Sequence, residues 1–95
     1  MDFTNYGKEI QAQIEEMMEL RYKRGEPYME SCRRLVDVGK EKNDSYLLGF
    51  AYYYLAESYL CLNDHQNLMI CLAESIVNQQ KASQWDMLIG SHNVM

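Results

Sequence analysis

From Ser45 to Leu62 the chain reads Ser-Tyr-Leu-Leu-Gly-Phe-Ala-Tyr-Tyr-Tyr-Leu-Ala-Glu-Ser-Tyr-Leu-Cys-Leu, and only Ser45, Glu57 and Ser58 are plainly polar. No two-residue alternation of a half-buried strand is sustained here, so the stretch reads as one helix. A helix that is apolar on nearly every side must be covered on nearly every side. In a chain of 95 residues, that cover has to come from flanking helices, and from partners wherever those helices fall short.

The flanking helices are legible. Phe3, Tyr6, Ile10, Ile14 and Met17 step by three and four, while Glu9, Glu15, Glu16 and Glu19 fill the opposite surface, which predicts a first helix over 4–24. Gly25 is placed to end it in the left-handed conformation, with Arg21, Lys23 and Arg24 in the last turn. Pro27 suits the first turn of a second helix, whose inner stripe is Tyr28, Cys32, Leu35, Val36 and Gly39. The polar run from Gly39 to Asp44 closes this hairpin, and Asn43 or Asp44 caps the third helix. Asn63 and Gln66 resemble a capping box for a fourth helix to about residue 80, with Leu68, Leu72, Ser75 and Ile76 on its inner face. Ser83 and Asp86 resemble another, opening a fifth helix through Trp85, Leu88 and Ile89.

Charge and cysteine content exclude several classes. A net charge of −5 argues against nucleic acid and against an anionic membrane, both of which ask for a basic face. No apolar run reaches the length of a membrane span without a polar break. Beyond Ser45 the charged residues are only Glu57, Asp64, Glu74, Lys81 and Asp86, so part of the second half is expected to be covered. Cys32, Cys61 and Cys71 have no metal or disulfide spacing and no signal peptide before them, and read as reduced core thiols of a cytoplasmic protein. Asn43-Asp44-Ser45 fits a glycosylation sequon, but with no signal peptide it reads as a helix cap. The chain stops at Ser-His-Asn-Val-Met without a helix-ending Gly or Pro, so it is expected to be a piece of a longer protein, cut inside its last helix.

Leu47-Leu48-Gly49 and Leu88-Ile89-Gly90 lie 41 residues apart, each near the start of an expected helix. Helical hairpins with a period of 20–50 residues are the sign of an α-solenoid. Leu55, Ala56, Tyr59 and the turn Asn63-Asp64 stand at the spacing of the first helix of a tetratricopeptide repeat, and Leu48, Gly49 and Tyr52 repeat that pattern one heptad earlier. On these residues the chain resembles the tetratricopeptide repeat family. The resemblance implies an all-α fold of about five helices in antiparallel hairpins, stacked as a short right-handed array across residues 1–95 as a single domain. Gly49 and Ala56 would let neighbouring helices approach closely. Leu68 and Ser75 depart from the family's usual Ala, and no Pro follows Gln80. The string from Asp44 to Tyr59, together with Gln84-Trp85-Asp86, is also similar to the N-terminal repeat regions of bacterial GGDEF-type diguanylate cyclases. That similarity implies a sensory or protein-binding region upstream of an enzyme. The chain has no Gly-Gly-Asp-Glu-Phe string of its own.

Tyr46, Phe50, Tyr53, Glu57 and Leu60 share one face of the third helix. The resemblance implies that this face lines a concave groove for a peptide or protein partner. Rigid aromatic area beside one orienting carboxylate suits such a role, although an aromatic stripe at helical spacing is more often core. Met87, Ser91 and Val94 would occupy the equivalent face one repeat on, and Trp85 reads as a hinge residue between hairpins rather than an anchor. His65 and His92 have no second ligand at metal spacing. No nucleophile elbow accompanies the Ser, His and Asp residues. The cluster of Glu15, Glu16 and Glu19 with Arg21, Lys23 and Arg24 reads as a solvated face. The expectation is a non-enzymatic module without cofactor or metal that binds a protein or peptide. The alternative is a homodimerisation module acting through exposed apolar helix faces.

Overall fold

The computed structural model describes residues 6–88, with side chains from residue 6 to residue 82. The described chain is all-α, with four helices: α1 Lys8–Lys23, α2 Glu26–Glu41, α3 Ser45–Cys61 and α4 His65–Leu88. Each helix packs on the next in sequence, and α3 lies between α2 and α4. The core is built from Ile10, Ile14 and Met17 of α1, Tyr28, Cys32, Leu35 and Val36 of α2, Leu47, Phe50, Ala51 and Leu55 of α3, and Cys71 of α4. The stripes expected for the first two helices are therefore the buried ones.

The two later loops share one design. Asn43 and Asn63 take left-handed φ values of 53° and 59°, a conformation that asparagine tolerates better than most residues. The N–H of Asp44 donates to the Gly39 carbonyl at 2.9 Å, and that of Asp64 to the Tyr59 carbonyl at 3.0 Å. Each aspartate then caps the following helix: Asp44 accepts from the Leu47 N–H at 3.1 Å and Asp64 from the Asn67 N–H at 3.2 Å. The Asn67 side chain also donates to Asp64, at 2.8 Å. The cap of α4 is thus Asp64 with Asn67, not Asn63 with Gln66, because Asn63 is spent on closing the preceding helix.

Three further differences have physical causes. The fourth helix does not stop near residue 80 and no fifth one opens at Ser83, since α4 continues unbroken to Leu88. Ser and Asp are tolerated inside a helix, and no Gly or Pro stands between His65 and Leu88 to end it. Leu88 accordingly lies on a helix that has run unbroken from His65 instead of near the start of a new one, so the 41-residue repeat has no structural counterpart there. The second loop is also shorter than expected, because α2 runs on to Glu41. At the first turn, Arg24 itself takes a left-handed φ of 59° ahead of Gly25 at 91°. The first helix starts at Lys8 and not near Thr4, because Gly7 takes extended backbone as its N-cap; Phe3, expected on its stripe, lies outside the described residues. So do the side chains of Ser83, Trp85, Asp86, Met87 and Leu88, and the whole of Ile89, Gly90, Ser91, His92 and Val94.

Side chains also tie α1 to α3. The Tyr6 hydroxyl donates to Asp44 Oδ2 at 2.7 Å, Arg21 pairs with Glu57, and Arg24 Nη1 donates to Cys61 Sγ at 3.1 Å. The first link joins the two N-terminal ends and the others join the last turns, so α1 and α3 run parallel. The sequence separations of these links are 38, 36 and 37 residues.

Candidate functional site

On α3, the five residues expected to share a binding face divide between two environments. Tyr46, Tyr53 and Leu60 are seven residues apart and lie on the outward line of the helix. Tyr53 is 49% exposed and Leu60 52%, while Tyr46 is half-buried. Phe50 is turned inward at 4% exposure and belongs to the core. Its ring meets Tyr54 edge-on at 5.0 Å, and Tyr54 meets Tyr53 edge-on at 5.2 Å. Aromatic packing therefore runs continuously from the core to the surface at Tyr53.

Glu57 borders this line and is held from two helices. Arg21 of α1 reaches it with Nε to Oε1 and Nη2 to Oε2, both at 2.8 Å, in a two-pronged pair. The Tyr28 hydroxyl of α2, on a ring only 1% exposed, donates to Oε1 at 2.9 Å. The Arg21 guanidinium also lies 5.3 Å from the centre of the Tyr54 ring. The Arg21 hydrogen bonds hold the Glu57 carboxyl below its ordinary value, with Tyr28 adding to the effect against the opposing pull of burial. Burial, and then the bond to Glu57, raise the Tyr28 phenol. Arg21 was expected on a solvated charge face. Its partner lies 36 residues away, and no local spacing could reveal the pairing.

This cluster gives a pH-dependent expectation. The folded state binds the Glu57 proton more weakly than the unfolded chain, so protonation favours unfolding. The contribution is complete above the ordinary value of 4.5 and is lost as pH falls through the lower folded value. A Glu57→Gln variant should be less stable than the parent at neutral pH by about 1–2 kcal/mol, less than a fully buried pair because part of the carboxylate reaches solvent. Urea denaturation across acid pH should show the two proteins converging below the ordinary carboxylate range. A gap that stays constant with pH would show that Glu57 acts only through packing.

The thiols split as well. Cys32 and Cys71 are buried, and burial pushes Cys32 up to about 12 and also raises Cys71. Cys61 is exposed instead of lying in the core, because it falls at the last residue of α3. A hollow of about 110 Å³ beside it is lined by Arg24, Tyr28, Met29 and Ser58. Among the described residues no cluster of His, Cys, Asp and Glu could hold a metal ion, and no helix is long and apolar enough to cross a membrane.

The sequence reading missed the outer face of α4. Of the expected inner residues, Leu68 and Leu72 pack against the core and Ser75 is buried, whereas Ile76 is 54% exposed and Cys71 and Asn78 are buried as well. The signal available was Gly49. A Cβ there would sit 2.9 Å from Gln79 Cγ and 3.3 Å from the Gln79 N atom, so α4 must present its Ser75 side to α3. Compared with family models, curated proteins and solved structures, the chain matches none of them.

Proposed function

We propose that this chain is a non-enzymatic interaction module of stacked helical hairpins, which holds a peptide or protein partner along the open line of α3. The observation that carries this reading is the placement of half-exposed Tyr53 and Leu60 beside the Arg21–Glu57 pair. Rigid apolar area next to a fixed charge pair is the composition of a binding hot spot. Phe50 takes no direct part and acts as the packed base under Tyr54 and Tyr53. The parallel arrangement of α1 and α3, offset by 36–38 residues, supports a tetratricopeptide-like array, whose usual repeat is about 34 residues. On this reading the chain serves as a regulatory region, as in the N-terminal repeats of GGDEF-type diguanylate cyclases, and binding is relayed through the packing of the hairpins. A second reading, self-association, is favoured by the apolar outer face of α4.

Random-peptide phage display against the immobilised chain tests the first reading. Enriched peptides should lose at least about tenfold in affinity on Tyr53→Ala or Leu60→Ala, the expected scale for a central anchor. They should bind Ile76→Glu unchanged. Peptides indifferent to both α3 substitutions, or no enrichment at all, would overturn it.

A further inference from the structure

The solvent face of α4 carries Gln66, Met69, Ile70, Ala73, Ile76, Val77 and Gln80, all exposed. At helical spacing these residues form one continuous stripe, opposite the buried Cys71, Ser75 and Asn78. Exposed Glu74 and Lys81 border it along one edge. An apolar helix stripe of this length marks a contact surface, and its arrangement indicates the occupant. As in any α-helix, the positions three, four and seven residues either side of the central Ala73 share its face, so the residue types carry the argument. These nearly mirror: Gln66 with Gln80, Met69 with Val77, and Ile70 with Ile76. An interface between two identical chains related by a two-fold axis requires a surface complementary to itself. A helix face symmetric about its centre meets that requirement when two copies pair antiparallel.

We infer that α4 is a homodimer interface, in which two copies pack antiparallel with Ala73 on the two-fold axis. Met69 and Ile70 of one copy then meet Ile76 and Val77 of the other, and the glutamines close both ends. The small Ala73 side chain permits close approach at the crossing, at the short end of the 8–10 Å range for packed helices. Head-to-tail stacking is disfavoured by the rest of the surface. The outer face of α1 carries exposed Glu9, Glu15, Glu16, Glu19 and Lys23, and that of α2 carries Glu30, Arg33, Arg34, Asp37 and Lys40. Burying α4 against either would strip charges of water while the α4 stripe offers them no opposite charge. A contact confined to one helix per copy lies below the roughly 800 Å² per partner of standard interfaces. The dimer is therefore expected to dissociate reversibly, with a constant no tighter than about micromolar.

The test uses the full chain. Sedimentation equilibrium should show a monomer–dimer equilibrium, and Ile76→Glu should weaken it by at least about tenfold with unchanged helicity by circular dichroism. In a Cys61→Ser background, Ala73→Cys should form a disulfide-linked dimer in air, because the two Cβ atoms at the axis meet within bonding reach. Gln66→Cys alone should not, since antiparallel pairing sends the two copies to opposite ends, whereas mixing it with Gln80→Cys should. A monomer up to about 1 mM, far above a micromolar constant, would overturn the inference and assign the face to another partner. Self-linking of Gln66→Cys would overturn it in favour of parallel pairing. Neither result touches the α3 reading, which stands or falls on Tyr53-dependent peptide capture by the monomer.

Discussion

Tyr28→Ala should remove most of the protein's stability at room temperature. The ring is one of the largest fully buried side chains and stands where α2 meets α3. Truncating a buried aromatic costs about 3–5 kcal/mol through lost transfer energy and the cavity left behind. A domain this small has a total stability near the low end of about 5–15 kcal/mol. The substitution also removes one of the donors that hold Glu57. Tyr28→Phe separates the two contributions, since it keeps the ring and deletes only the hydroxyl. Its cost should be about 1 kcal/mol, the net worth of a typical hydrogen bond. The two variants, compared by urea denaturation with helicity as the probe, should differ severalfold. Equal losses would mean that the hydroxyl, and not the ring, anchors α2 to α3.

Gly49→Leu should be the next most damaging change, because it strikes a tight contact between α3 and α4. A Cβ at this position already meets Gln79 Cγ at 2.9 Å and the Gln79 N atom at 3.3 Å. A further branched group has nowhere to go unless the helices separate. Separation would break the 2.8 Å hydrogen bond from Ser75 Oγ to the Gly49 carbonyl, to which Gln79 Nε2 adds a 2.9 Å bond to Ser75 Oγ. Overpacking of this kind costs about 1–3 kcal/mol, and the loss of the Ser75 partner adds to it. Gly49→Ala is a milder trial, in which a helix-propensity gain of up to about 1 kcal/mol opposes the clash. Thermal melts followed by circular dichroism should place the variants in the order parent, Ala, Leu. A Leu variant as stable as the parent would mean that α4 slides freely along α3.

These expectations show why some contacts are visible in the sequence and others are not. The stripes of α1 and α2 are amphipathic, with charge on one side and apolar residues on the other, so a period of 3.6 residues predicts which side is buried. Tyr28, Cys32, Leu35 and Val36 are inside for that reason. In α3 the contrast vanishes. With apolar residues on all sides, periodicity does not distinguish Phe50, which is core, from Tyr53, which is half-exposed. The same ambiguity turned Ile76 inward on α4, where apolar residues occupy both the inner and the outer face.

What the sequence determined by itself is local: an all-α chain, two Asn-Asp loops whose backbone needs match those residues, a Pro at the start of α2, and a central helix too apolar to stand alone. The long-range contacts come from the packing of the helices. Arg21 joins Glu57 across 36 residues, α4 continues through Ser83 and Asp86, and the α4 stripe centred on Ala73 faces solvent. The physical reason is that turns and helix periods depend on neighbours within a few residues. Which face of an evenly apolar helix is covered depends instead on where another helix can approach closely, and here Gly49 and Ser75 set that approach.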